Sequence, residues 1–110
     1  MSKIITPNPG EVIFDKQFNS AFVKTDLKNY LANKGIETII LVGMQTEYCI
    51  DATCKSAFEH GFKVIIPEKT NTTYDNGVLT AKQIYEHYMD RIWKGRFARV
   101  DSMEHILEEL

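Results

Sequence analysis

Apolar residues follow one another without a polar break in Ile39-Ile40-Leu41-Val42, and the run stops at Gly43. Such a run suits a strand covered on both faces, as in a parallel sheet flanked by helices, and predicts a central strand over 38–42. Beyond the glycine the period changes. Ile50, Cys54, Ala57, Phe58 and Gly61 come round to one side of a helix over 47–60, with Thr46 as its N-cap and Gly61 closing it. The same two periods recur along the chain. Residues 11–15 (Glu-Val-Ile-Phe-Asp), 62–66 and 97–100 read as strands, the second stopped by Pro67. Residues 17–24 read as a turn, and Thr25-Asp26 opens a helix with the stripe Leu27, Tyr30 and Leu31, ending at Gly35. Val78, Ala81, Ile84, Tyr85, Tyr88 and Ile92 predict a long helix up to Gly95, and Asp101 with Glu104 resembles a capping box for a last helix carrying Ile106, Leu107 and Leu110. Between them, the polar stretch 68–77 leaves the carboxyl end of a strand as a loop and could border a site there.

Strands alternating with helices call for the α/β class, a three-layer, Rossmann-like parallel sheet with helices on its faces. With 110 residues the chain holds one compact domain, 1–110, and is too short for two. The formal net charge of -2, with both signs interspersed, offers no basic footprint for nucleic acid and no polybasic tail for a membrane. The first ten residues lack the apolar core of a signal peptide, and no later run is long enough to span a bilayer. These features predict a soluble, cytoplasmic protein. The two cysteines, Cys49 and Cys54, point about 140° apart on one helix, which predicts reduced, unpaired thiols.

The chemistry falls where the first apolar run ends. Cys49 in the first turn of the predicted helix lies beside backbone N–H groups that have no intrahelical partner, a place where a thiolate is stabilised. The carboxyl ends of parallel strands are also where open α/β sheets bind ligands. A buried structural thiol is the commoner fate of a cysteine, and Cys54 on the packed stripe fits it; the strand-to-helix junction argues for Cys49 as a nucleophile. Lys16, at the carboxyl end of the 11–15 strand, reads as a solvated lysine or as a charge held over the same sheet edge. His60, His87 and His105 lack metal-ligand spacing and read as surface residues, so no metal and no cofactor is expected. Gly43 belongs to no phosphate-binding motif. Trp93 and its neighbouring tyrosines suggest packing or a subunit contact.

Three segments together resemble the isochorismatase-like cysteine hydrolases, the group that includes nicotinamidases and N-carbamoylsarcosine amidases. They are Val-Ile-Phe-Asp-Lys-Gln-Phe-Asn-Ser-Ala-Phe with Thr25-Asp26-Leu27 behind it, Gly-Met-Gln-Thr-Glu-Tyr-Cys-Ile-Asp-Ala-Thr, and Ala-Phe-Glu-His-Gly-Phe-Lys-Val at 57–64. The resemblance implies the isochorismatase-like hydrolase fold, with Cys49 as nucleophile, Lys16 as the active-site lysine, and the backbone N–H groups of Gln45 and Cys49 as the oxyanion hole. It further implies a cis Met44-Gln45 peptide and a small-molecule amide or related carbonyl substrate, cleaved through a thioester. The family's third active-site residue is an aspartate on a strand preceding the lysine. That strand and the next have no counterpart here, so the sequence reads as lacking the family's first strands, and Asp15, adjacent to Lys16, does not match that aspartate. Two expectations follow: either the 11–15 and 38–42 strands close up side by side, or a second chain fills the gap and the protein is a homo-oligomer. The alternative to a hydrolase is a truncated, non-catalytic assembly module with the same fold.

Overall fold

The computed structural model describes residues 19–109. The predicted strand over 11–15, with Asp15 and Lys16, lies outside the described residues. From Leu27 onward the order is α1 (Leu27–Asn33), β1 (Thr38–Ile40), β2 (Gly43–Met44), a π-helical turn (Thr46–Ile50), α2 (Asp51–Glu59), β3 (Lys63–Pro67) and β4 (Asn71–Thr72). There follow α3 (Ala81–Glu86), a π-helical segment (His87–Trp93), β5 (Arg99–Asp101) and α4 (Met103–Glu108). The strands form two parallel sheets, ordered β1-β3-β5 and β2-β4, with Thr38 opposite Lys63 and Ile65 opposite Arg99.

The predicted single strand over 38–42 is divided. β1 stays in the larger sheet, while Gly43, at φ 130°, turns the chain so that β2 pairs with β4 instead. A Cβ at Gly43 would meet Ile50 Cδ1 at 3.5 Å, an ordinary contact, so the backbone angle and not lack of space selects glycine. The expectation of a strand covered on both faces also fails: Ile40 and Val42 are 40% and 52% exposed. Among the described residues β1 pairs with β3, and of the apolar run Ile39 and Leu41 pack against the core while Ile40 and Val42 point to the open face.

The core lies where α2 and the π-helical segment pack on β3. Ile50, Cys54 and Ala57 from the helical rod meet Val64 and Ile66 from β3, with Met89, Trp93, Phe22 and Ala98 closing the cluster. Full burial of a side chain such as Ile66 contributes roughly 1.5–3 kcal/mol. The predicted stripe on α2 holds at Ile50, Cys54 and Ala57, whereas Phe58 turns outward at 40% exposure to pack edge-on against Phe97. Gly61 ends this helix as expected, at φ 91°, with its N–H donated to Phe58 O and that of Phe62 donated to Ala57 O.

Two helix starts differ from expectation because a side chain finds a better partner, and one helix changes type along its length. Helix α3 begins at Ala81 and not at Val78, since Thr80 and Gln83 form a reciprocal capping box that leaves Val78 outside and 87% exposed. From His87 the rod is π-helical, and a five-residue step carries the buried stripe from Ile84 to Met89, then to Trp93. At α4 the cap is Ser102, whose hydroxyl accepts from the His105 N–H; Asp101 instead accepts from the Ser102 N–H. No helix among the described residues is long and apolar enough to cross a membrane.

Candidate active site

The site is built on the turn that follows β2. The peptide Met44-Gln45 is cis, and Gln45 is extended at φ -96° and ψ 146°, occupying the cap position expected for Thr46. Thr46 is fully buried and spends its hydroxyl elsewhere, donating to Asn71 Oδ1 at 2.7 Å. Asn71, itself 2% exposed, donates Nδ2 to Met89 Sδ at 3.3 Å. This buried polar relay explains why a threonine stands where an apolar residue would pack: it ties the π-helical turn to β4 and both to the long helix.

The loop over 68–77 does border the site. The Gly43 N–H donates to Thr70 O at 2.9 Å, β4 pairs with β2, and Thr73 Oγ1 donates to Glu47 Oε1 in the first turn. Tyr48, beside Cys49, is 53% exposed.

Cys49 lies on the π-helical turn, half-buried, within the first helical turn beyond the carboxyl end of β2, as the sequence predicts. Its Sγ donates to Asn19 Oδ1 at 3.9 Å. Asn19 belongs to the turn over 19–24, which is fastened to the same helical rod. The Ala21 N–H donates to Thr53 Oγ1 at 3.0 Å, Ser20 Oγ donates to Ser56 Oγ at 3.0 Å, and Phe22 inserts into the core at 8% exposure. Sequence reasoning passes over Asn19, although it stands in the Phe-Asn-Ser-Ala-Phe motif three residues after Lys16.

Neither thiol is in a disulfide, and the two differ in surroundings. Cys54 is 0% exposed, and burial, with a smaller contribution from the Asp51 carboxylate, pushes its thiol up to about 12. It is a packing residue held protonated. His60, His87 and His105 are exposed, and among the described residues no group of three or more His, Cys, Asp or Glu side chains could hold a metal ion. A cavity of about 660 Å³ is lined by Thr38, Lys63, Phe58, Phe97 and Arg96, at the amino ends of the strands. Cys49 sits at the opposite, carboxyl end, so this volume is no part of its site.

A parallel sheet with flanking helices defines a Rossmann-like α/β protein, and the half-buried cysteine lies on the first helical turn past a strand's carboxyl end, where such sheets bind ligands. The chain belongs to the isochorismatase family, whose domain model matches residues 3–92. It is 40% identical over 62 residues to the maleamate amidohydrolase of Pseudomonas putida, covering 56% of this chain and 29% of that one. It is 38% identical over 66 residues to the N-carbamoylsarcosine amidase of an Arthrobacter species, covering 60% and 25%. The crystal structure of an isochorismatase family protein superposes with a TM-score of 0.86 at 34% identity, covering 91% of this chain and 60% of that one. The chain thus spans between a quarter and three fifths of the length of these relatives.

Proposed function

We propose that the chain carries the site of a cysteine hydrolase acting on a small-molecule amide or related carbonyl compound. The observation that carries this reading is the placement of Cys49 on the first helical turn beyond the cis Met44-Gln45 peptide, in a chain that belongs to the isochorismatase family. The relatives named as amidohydrolase and amidase support the substrate class.

In this reading the Cys49 thiolate attacks the carbonyl carbon, and the backbone N–H groups of Gln45 and Cys49 hold the oxyanion. The carbon–nitrogen bond then breaks, the amine leaves with the proton that the thiol gave up to solvent, and water hydrolyses the thioester to the acid and restores the thiol. Lys16 holds the thiolate by its charge. The reaction asks for no cofactor or metal, and a single domain in the cytoplasm is the setting proposed for it.

The experiment is incubation with a panel of small amides, read by product release and by intact mass. Hydrolysis with an acyl adduct of Cys49, abolished in Cys49→Ala, is expected, together with faster alkylation of Cys49 than of Cys54 near neutral pH. Equally slow alkylation of both thiols with no hydrolysis would remove the reading.

One observation favours a second reading, an assembly module. Ile40, Val42 and Met44, at 40%, 52% and 48% exposure, make an apolar row at alternate positions along the chain. Such a row is suited to a second copy of the chain, making a homo-oligomer. Turnover that disappears in Cys49→Ala would sink a purely non-catalytic module, and a strictly monomeric folded species by light scattering would sink the association.

A further inference from the structure

We infer that Asn19 is a positioning residue for Cys49, its side-chain amide holding the sulfur in both protonation states. The inference rests on the reading of Cys49 as nucleophile and adds a residue to that site. The direct observation is the contact from Cys49 Sγ to Asn19 Oδ1 at 3.9 Å. That separation is near the outer reach of a hydrogen bond from sulfur, so the contact contributes direction more than energy.

What makes it more than a passing surface contact is the way the turn beneath it is built. Asn19 is exposed, yet the next three residues are each fixed: Ser20 is 5% exposed and bonded to Ser56, Ala21 N–H is bonded to Thr53, and Phe22 is in the core. Thr53 and Ser56 lie one and two turns beyond Cys49 on the same continuous helical rod. The support for Asn19 and the support for Cys49 are therefore one body. The amide is held at the sulfur by an arrangement that does not depend on the amide itself.

A carboxamide also suits the task chemically. It offers an acceptor and two donors on one planar group, and its last torsion is broad and nearly two-fold. While the thiol keeps its proton, Oδ1 accepts from S–H. Once the proton has gone, a half-turn of the amide brings Nδ2–H to the thiolate, a charge-assisted contact that is shorter and stronger. Neither a carboxylate nor a methyl group can serve both states. A carboxylate repels the thiolate, and a methyl group gives it nothing.

The test is the pH dependence of Cys49 alkylation by iodoacetamide, followed by peptide mass, in the parent protein, Asn19→Ala and Asn19→Asp. The half-maximal pH should rise by about half a unit in the alanine variant, from loss of a donor to the thiolate. In the nearly isosteric aspartate variant it should rise by about one unit, from the like charge beside the sulfur. At neutral pH these shifts read as roughly threefold and tenfold slower alkylation. A merely structural role would not order the two variants this way, because aspartate keeps the shape that alanine loses. Profiles that superimpose on the parent's, with unchanged thermal midpoints, would overturn the inference. So would a loss of rate restored by no rise in pH. The hydrolase reading is judged separately, by the rate of Cys49 against Cys54 within the parent protein. A slow Cys49 there would count against the hydrolase and leave the comparison among Asn19 variants intact.

Discussion

The Asp51–Trp93 pair offers the most quantitative check on how the core is held. Trp93 is 0% exposed, and its indole N–H donates to Asp51 Oδ1 at 2.8 Å across 42 residues of chain. The second oxygen of the same carboxylate accepts from Lys55 Nζ at 3.0 Å, with the two side chains 15% and 37% exposed. In Asp51→Ala a buried indole donor is left without its acceptor. A hydrogen bond to a charged group is worth about 1.5–3 kcal/mol, while the partly exposed pair with Lys55 adds only a few tenths. The expected loss is therefore about 2–3 kcal/mol, or a thermal midpoint lower by roughly 10–20 °C for a domain of this size. Asp51→Asn keeps an acceptor in place and gives up only its charge, so it should lose about half as much. Single substitutions also change local helix propensity, and the decisive quantity is a double-mutant cycle of Asp51→Ala with Trp93→Phe in urea unfolding. The coupling should be about 1.5 kcal/mol, with Lys55→Met as a control below about 0.5 kcal/mol. A coupling between Asp51 and Trp93 under about 0.5 kcal/mol would refute the view that this bond joins the long helix to α2.

Thr46→Val keeps the volume and leaves buried Asn71 Oδ1 without its donor, for a loss of about 1–3 kcal/mol by urea unfolding; a neutral result would show that the polar relay is dispensable. Acid stability should carry the signature of Asp101, whose carboxyl is brought from the ordinary 3.8 to about 2 by the Arg99 guanidinium, with the Ser102 N–H and His105 contributing less. A carboxyl lowered in the folded state stabilises above its unfolded value and loses that contribution as pH falls through the folded one. The Arg99 guanidinium also lowers the Glu109 carboxyl, so the gain in thermal midpoint of the parent over Arg99→Met should reflect both groups, being highest above the ordinary carboxylate range and converging by about pH 2, and a constant difference across that range would refute the assignment. The Gly61→Ala substitution forces a Cβ into φ 91° and should cost about 1–2 kcal/mol, measured the same way.

Much of the site is legible in the sequence because it depends on local order. The switch of period at Gly43 locates the strand-to-helix junction, and with it Cys49. The separation of the two thiols into a half-buried Cys49 and a packed Cys54 follows from helical geometry alone. What sequence does not reach are long-range partners. Nothing local to Thr46 says that its hydroxyl belongs to Asn71, 25 residues on, rather than to the helix start. Nothing near Asn19 marks it as a neighbour of Cys49, because the Thr53 and Ser56 hydroxyls that fix the turn lie on a distant stretch of chain. The coverage of β1 differs from expectation for a related reason: an apolar run reports what a strand is suited to bury, whereas Ile40 and Val42 report what stands beside it.

The π-helical stretch over His87–Trp93 bears on how this chain should be compared with its relatives. A wider turn absorbs one residue more than an α-turn, so the step from Ile84 to Met89 spans five positions where a regular helix would use four. A relative one residue shorter between these points could present the same two side chains to the same core by running as an ordinary helix. An alignment gap there need not mark a break in the fold, whereas one placed earlier in the same helix, before Ile84, would shift every later inward position, Trp93 included, off the core.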